Sequence, residues 1–129
     1  ELVNDWAYHH PQHHLILNIQ CNLRLLEPHF QLICYRIIQE GLTNISRHAG
    51  DNVKASVSLY KHKQTIIIEI IDNGRGCDLS EKQHGYGILG MRERADTLSG
   101  KVNIESQPGH GMKIQITLPW VSGDIDGKN

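Results

Sequence analysis

At 129 residues, the chain has the length of one domain and can bury a hydrophobic core. Its formal net charge of -1 argues against the broad positive field that proteins use to bind nucleic acid or an anionic membrane. The three cysteines include no C-x-x-C pair, which favours reduced thiols over a disulfide framework or a zinc site. We expect a single domain over residues 1–129 with its core at about 14–119, a helical tail at 1–10 and a flexible tail at 122–129. Because the sequence begins at Glu1, we expect a piece of a larger or processed protein.

The first half of the chain predicts a helix, a strand and a second helix. Residues 2–8 are typical of the end of a helix that stops near Pro11, and residues 14–25 favour a strand. From Pro28 to Ala49 the apolar period is helical, and Gly50 is a suitable end for that helix. One side of the helix carries an apolar stripe of Cys34, Ile38, Leu42, Ile45 and Ala49.

The second half predicts four strands and one more helix. Residues 55–60 alternate, 61–64 favour a polar turn, and 65–71 are apolar enough for a central strand covered on both faces. A polar loop at 73–84 precedes a helix marked by Ile88, Met91, Ala95 and Leu98. Residues 101–106 and 112–118 alternate around a hairpin at 107–111. The element order predicts an α/β fold, a two-layer α/β sandwich whose mixed sheet is covered on one face by helices.

Polar side chains recur along the helix that begins at Pro28. Glu40, Asn44 and Arg47 fall within about 60° of arc, roughly opposite the apolar stripe. A carboxylate and an amide oxygen suit Mg²⁺, and Arg47 or the adjacent His48 suits a phosphate. The alternative interpretation is a solvated helix face.

Asp72 ends the most apolar strand, where its backbone should be fixed. Its carboxylate could accept a hydrogen bond from an adenine amino group, while Gly74 and Gly76 would let the backbone turn close to the base. The alternative is that Asp72 only stabilises a turn at the end of the strand.

The segment from Gly85 to Gly90 reads G-x-G-x-x-G. It does not follow directly on a strand, and no room remains for a doubly wound sheet, so we reject a dinucleotide-binding fold. What remains is a glycine turn at a helix N-terminus, where free N–H groups attract phosphates.

Four histidines cluster near the N-terminus. Because Pro11 interrupts their spacing, we favour a solvated, pH-sensitive patch over a metal site for His9, His10, His13 and His14.

Three segments together resemble the ATP-binding motifs of bacterial two-component sensor histidine kinases. Residues 40–49 resemble the N box, 72–76 the G1 box and 84–94 the G2 box. The likeness spans about residues 30–119, and residues 90–100 are similar to the nitrate/nitrite-sensor-like subfamily. The resemblance implies the Bergerat-type ATP-binding fold shared with DNA gyrase, Hsp90 and MutL.

The same resemblance implies roles for single residues. Glu40 and Asn44 would be catalytic, with Asn44 holding Mg²⁺, and Asp72 would read the adenine amino group. Residues 77–90 would form a mobile ATP lid. The implied nucleotide-binding set is Arg47, His48, Asp72, Gly74, Gly76, Gly85, Tyr86, Gly87, Ile88, Leu89 and Met112. Met112 stands where the family usually has a threonine that helps to hold the base.

The implied cofactors are ATP and Mg²⁺, and the implied enzyme is a protein-histidine kinase that lacks its phosphoacceptor domain here. Its partners would be ATP, the dimerisation and histidine phosphoacceptor domain of the same protein, and a response regulator, with no nucleic acid. We expect a cytoplasmic domain that is monomeric alone, from a homodimeric parent that could be an inner-membrane sensor. Two alternatives stay open: another ATPase or anti-sigma-type Ser/Thr kinase of the superfamily, or a regulatory module that has lost ATP binding.

Overall fold

A computed structural model describes residues 6, 8–78 and 87–120 of the chain. Their strands form a mixed five-stranded sheet in the order β1-β2-β3-β5-β4. These are β1 (His14–Ile19), β2 (Lys54–His62), β3 (Thr65–Asp72), β4 (Lys101–Ser106) and β5 (Met112–Pro119). β1 runs parallel to β2, and the other neighbouring strands are antiparallel. β3 is the central strand of this order, and Asp72 is its last residue.

Helix α1 (Pro28–His48) crosses the sheet and carries much of the core. It begins where the Glu27 carboxylate accepts the N–H groups of His29 and Phe30, at 2.9 and 3.2 Å, and proline at the first position fixes a helical φ. At Gly41 the helix approaches β3 so closely that a Cβ atom would collide with the Ile70 side chain. Glycine therefore leaves room for the end of the Ile70 side chain between α1 and β3.

Helix α2 (Ile88–Thr97) packs beside α1 and against β4 and β5. Burial alternates along β2, β3 and β5, which shows that the helices cover one face of the sheet. The structural comparisons reported below confirm the predicted α/β fold class. None of the helices in the described residues is both long and apolar enough to cross a membrane.

Two element boundaries and the burial of one strand face differ from the sequence prediction. The strand predicted over 14–25 ends at Ile19, because a 3₁₀ turn at Leu23–Leu25 follows, capped by the Asn22 side chain on the Arg24 N–H at 3.0 Å. The polar turn predicted at 61–64 is shorter, since β2 continues through His62. The prediction that β3 is covered on both faces was wrong: Ile71 is exposed on the face away from the helices.

Trp6 and His13, near the N-terminus, contact this core through ring stacking and two hydrogen bonds. The indole N–H of Trp6 donates to the Leu42 carbonyl at 3.1 Å, and the Trp6 ring stacks on His13 with centroids 5.6 Å apart. His13 is buried, and its Nδ1 accepts the Val53 N–H at 3.1 Å, so this nitrogen is unprotonated. The prediction of a solvated patch was therefore wrong for His13.

Acidification should weaken this attachment. Burial, and then the charges of His13 and His9, lower the pKa of His10. Because that pKa is depressed, the stability it contributes is present above the ordinary histidine pKa and is lost as the pH falls.

We expect the free energy of unfolding to fall between about pH 7.5 and about pH 5.5. His10→Gln should flatten that pH dependence, because it removes the histidine whose pKa is lowered in the folded state. Urea denaturation at both pH values measures the difference, and His62→Gln at an exposed histidine is the control. An unchanged slope in His10→Gln would contradict the role of His10.

Candidate functional site

A small cavity lies where the C-terminal half of α1 meets the end of β3. Its volume is about 10 Å³, room for about one water molecule. The cavity is lined by Asn44, His48, Ala49, Asp72, Gly76 and Met112. Five of these six residues belong to the set predicted from the sequence, and the six come from three separate stretches of the chain.

Asn44 has the most unusual side chain of the site. It is 5% exposed, and neither its amide nitrogen nor its amide oxygen has a hydrogen-bond partner among the described residues. A buried polar group without a partner costs about 1–3 kcal/mol. Such a group, on the wall of a cavity, indicates a position prepared for a ligand.

The burial of Asn44 also corrects the helical-wheel prediction. Asn44 lies at the margin of the buried side of α1, while Arg47 is exposed and Glu40 is half-buried. The solvated-face interpretation therefore fails for Asn44 and holds for Arg47, which lies outside the lining of the cavity.

Asp72 is held by the backbone around it. Its carboxylate accepts the Gly74 N–H at 2.8 Å, and it lies near the backbone N–H of Met112, the residue opposite Asp72 in the β3–β5 pairing. Burial raises the pKa of the Asp72 carboxyl above its ordinary value, and the two N–H groups partly offset this effect. Asp72 is thus a fixed acceptor at the cavity wall.

The two glycines after Asp72 allow a close approach of chain segments. A Cβ at Gly74 would strike the backbone of Ala49, at the end of α1, and the adjacent Arg75 N–H donates to the Ala49 carbonyl at 2.9 Å. Gly76 has a φ of 62° and lines the cavity itself. Gly74 therefore joins the strand end to the helix, while Gly76 alone of the pair faces the cavity.

Glu40 lies beside the first turn of α2. Its carboxylate packs directly against Gly87, the residue that caps this helix with a φ of 66°, and a side chain at 87 would displace it. The Gly87 cap has no side-chain hydrogen bond. A carboxylate is favourable near a helix N-terminus, where the N–H groups carry partial positive charge.

The remaining predicted residues of the glycine turn have different positions. Ile88 is buried in the core, whereas Leu89 is 70% exposed, and neither lines the cavity. Gly85 and Tyr86, and most of the proposed ATP lid, lie outside the described residues.

Ala49 is the lining residue that sequence reasoning missed as part of the site. It was assigned to the apolar stripe of α1, and it is indeed 8% exposed. The sequence did contain a signal for Ala49, because it lies between His48 and Gly50 at the end of α1. A small side chain at that position leaves space for a ligand.

The donor set is suited to Mg²⁺. The unpartnered amide oxygen of Asn44 and the carboxylate of Glu40 on the preceding turn of α1 are hard oxygen ligands. No cluster of three or more His, Cys, Asp or Glu ligands occurs in the part of the chain that the structure describes. A metal here would therefore take further ligands from phosphate and water, as Mg²⁺ commonly does.

Comparison with known families agrees with this geometry. The family of histidine kinase-, DNA gyrase B- and HSP90-like ATPases matches residues 31–122, most of the chain. The chain belongs to this ATPase family. The match includes most of α1, the end of β3 and the β4–β5 hairpin, which supply the cavity lining.

The curated relatives of this ATPase domain include histidine kinases. The chain is 37% identical over 93 residues to the signal transduction histidine-protein kinase/phosphatase DegS of Brevibacillus brevis, which covers 70% of the chain and 24% of the relative. It is also 37% identical over 98 residues to DegS of Bacillus subtilis, covering 73% of the chain and 25% of the relative. The chain thus spans about a quarter of the length of these relatives.

Solved structures share the fold of this ATPase domain. The blue-light activated histidine kinase of Erythrobacter litoralis superposes with a TM-score of 0.77 at 16% identity, over 92% of this chain and 39% of that one. The mycobacterial sensor histidine kinase MprB gives a TM-score of 0.72 at 14% identity, over 94% and 91%. The comparisons confirm the predicted resemblance to the ATP-binding domain of a sensor histidine kinase.

Proposed function

We propose that this domain binds Mg·ATP at the cavity between α1 and the end of β3. In this proposal it supplies the γ-phosphoryl group to a histidine on a separate dimerisation domain of its parent protein. The observation that supports it most directly is the buried, unpartnered amide of Asn44 on the same cavity wall as Asp72.

The base would lie against Asp72. The Asp72 carboxylate is held by the Gly74 N–H, and it would accept a hydrogen bond from the adenine amino group. Guanine carries a carbonyl oxygen at that position. Because this oxygen and the carboxylate are both hydrogen-bond acceptors, guanine could not form the corresponding hydrogen bond. The cavity holds about one water molecule, so the base would enter with movement of the surrounding side chains.

The phosphates would lie between α1 and the start of α2. Asn44 and Glu40 would hold Mg²⁺, which supplies charge neutralisation for the phosphates when bound. His48 on the cavity wall would contact the nucleotide, and the Gly87–Leu89 turn would offer N–H groups to phosphate oxygens. Arg47, exposed on the next turn of α1, would meet phosphate from the solvent side. The work of these residues is positioning and electrostatic stabilisation, as is usual for phosphoryl transfer.

The proposed setting is that of a two-component system. The relatives are about four times as long as the matched region and are named as signal transduction kinase/phosphatases. By analogy, the parent would be a homodimeric sensor that phosphorylates a response regulator. This domain would lie in the cytoplasm, and the parent could be anchored in the inner membrane.

Two measurements test the proposal. Calorimetric titration should show ATP binding that is tighter with Mg²⁺ than with a chelator, and weaker binding of GTP. The difference between ATP and GTP should be about 1–3 kcal/mol, the value of a lost buried hydrogen bond. Equal affinity for both nucleotides would contradict the assigned base contact, and absence of binding would favour a regulatory module.

The kinase step is tested with the dimerisation domain of the parent protein and radiolabelled ATP. Transfer to histidine should give a label that is stable in base and lost in acid. An acid-stable label would indicate the anti-sigma-type Ser/Thr kinase instead.

A further inference from the structure

The Ser106 hydroxyl joins two segments that reach the cavity from different parts of the chain. Ser106 is the last residue of β4, and its Oγ accepts the Cys77 N–H at 2.9 Å. The same Oγ donates to the Gly111 carbonyl at 2.6 Å, across the β4–β5 hairpin. A serine hydroxyl has one hydrogen to donate, so its donor is used within the hairpin while a lone pair holds the Cys77 N–H. This one atom therefore ties the segment after β3 to the hairpin.

The segment after β3 is also bonded to α1 and to the tip of the hairpin. The Arg75 N–H donates to the Ala49 carbonyl at 2.9 Å, and the Arg75 carbonyl accepts the Gly109 N–H at 2.7 Å. Gly76, between Arg75 and Cys77, lines the cavity, so all three bonds lie within one residue of the cavity wall. Of these three bonds, the one at Cys77 is made to a side chain, so it is the one that a substitution can remove.

Gly76 fits closely against the hairpin. Its φ is 62°, and a Cβ at this position would lie 2.7 Å from the Gly111 carbonyl oxygen and 3.0 Å from the Ser106 Oγ. Ser106 itself lies outside the lining of the cavity, so it would act on a ligand there through Gly76. A shift of Gly76 away from the hairpin would therefore change the shape of the cavity wall.

We propose that Ser106 is a positioning residue for nucleotide binding, whose hydroxyl holds Gly76 in the wall of the cavity. This inference rests on the proposed function, in which the cavity takes the adenine base. Without the hydroxyl, the Cys77 N–H and the Gly111 carbonyl both lose a partner, and the segment leaves the wall for part of the time. The apparent affinity for a ligand falls in proportion to the fraction of molecules that keep the binding conformation. Ser106 therefore raises the affinity for a nucleotide that it does not touch.

The test compares Mg·ATP binding by the wild-type chain and by Ser106→Ala in a calorimetric titration. The dissociation constant should rise at least about fivefold in the variant, the effect of one lost hydrogen bond, with unchanged stoichiometry. Hydrogen exchange at the Cys77 amide should be faster in the ligand-free variant, because this N–H has lost its acceptor. A residue that serves only stability would instead lower the fraction of folded chain, and thus the stoichiometry, without changing the dissociation constant.

Ser106→Thr and Ser106→Val form a matched pair of similar shape, in which only the first keeps a hydroxyl. Ser106→Thr should bind Mg·ATP at least about fivefold more tightly than Ser106→Val. Both substitutions introduce side chains that favour a strand, so this pair decides the question if Ser106→Ala folds poorly.

Thr65→Ala is the control, because it removes a hydroxyl that donates to the His62 carbonyl at 2.7 Å, at the opposite end of β3 from Asp72. Its dissociation constant for Mg·ATP should equal that of the wild type. Equal dissociation constants for the wild type and Ser106→Ala, or for Ser106→Thr and Ser106→Val, overturn the role of Ser106 alone. Failure of the wild type to bind Mg·ATP overturns the proposed function as well.

Discussion

Asn44→Ala should weaken Mg-dependent ATP binding by at least about tenfold, since contacts to charged groups are worth about 1.5–3 kcal/mol each. The ligand-free domain should nevertheless be as stable as the wild type or more stable. The reason is that the Asn44 amide is buried without a hydrogen-bond partner among the described residues, so its removal breaks no bond and relieves the cost of its burial. Loss of function with retained stability is typical of a residue kept for its ligand.

Calorimetry with ATP and Mg²⁺, together with thermal unfolding without ligand, measures both effects. Gln39→Ala is the matched control, because it truncates an amide on an exposed position of the same helix. It should change neither quantity. A stable Asn44→Ala variant that binds Mg·ATP as tightly as the wild type would remove Asn44 from the site.

Asp72→Asn should raise the dissociation constant for ATP about 5- to 150-fold, the equivalent of about 1–3 kcal/mol. It should also reduce the preference for ATP over GTP, since an amide both donates and accepts hydrogen bonds. The amide oxygen can keep the hydrogen bond from the Gly74 N–H, so the turn that joins β3 to the end of α1 should persist.

The same substitution has a predicted pH dependence in the absence of ligand. Burial raises the pKa of the Asp72 carboxyl in the folded state, so the stability linked to it is present below the unfolded pKa. That stability is lost as the pH rises through the folded pKa. The amide in the Asp72→Asn variant resembles the protonated carboxyl at every pH. The variant should therefore gain stability relative to the wild type as the pH rises from about 3.5 to about 7.

Urea denaturation at several pH values checks this trend. Asp51→Asn, at an exposed aspartate, provides the control. Tighter ATP binding by Asp72→Asn, or a stability difference that shrinks with rising pH, would contradict the role given to Asp72.

Periodicity and turn chemistry predicted most of the fold. The apolar stripe of α1 and the alternation of β5 each depend on neighbouring residues in the sequence, so their type and position followed directly. The end of β1 did not, because Leu23 and Leu25 are apolar like strand residues. The structure there is decided by the Asn22 side chain, which caps a 3₁₀ turn.

The site was predictable in its residue types but less so in its geometry. Asp72 and Asn44 stood out because a carboxylate at a strand end and an amide on a helix have recognisable uses. The burial of Asn44, the packing of Glu40 on Gly87 and the position of Met112 beside Asp72 depend on contacts between distant elements. A helical wheel treats one helix alone, which is why it placed Asn44 opposite the core.

The absence of a side chain at Gly41 leaves room for the end of the Ile70 side chain between α1 and β3. Asn44 follows Gly41 by about one turn of α1, and Asp72 follows Ile70 by two residues of β3, so the two walls of the cavity are carried by elements that touch at this point. A methyl group at position 41 would meet the terminal carbon of Ile70, and this buried side chain would have to move within the core. The packing beneath the cavity therefore depends on a residue that no ligand in the cavity would touch.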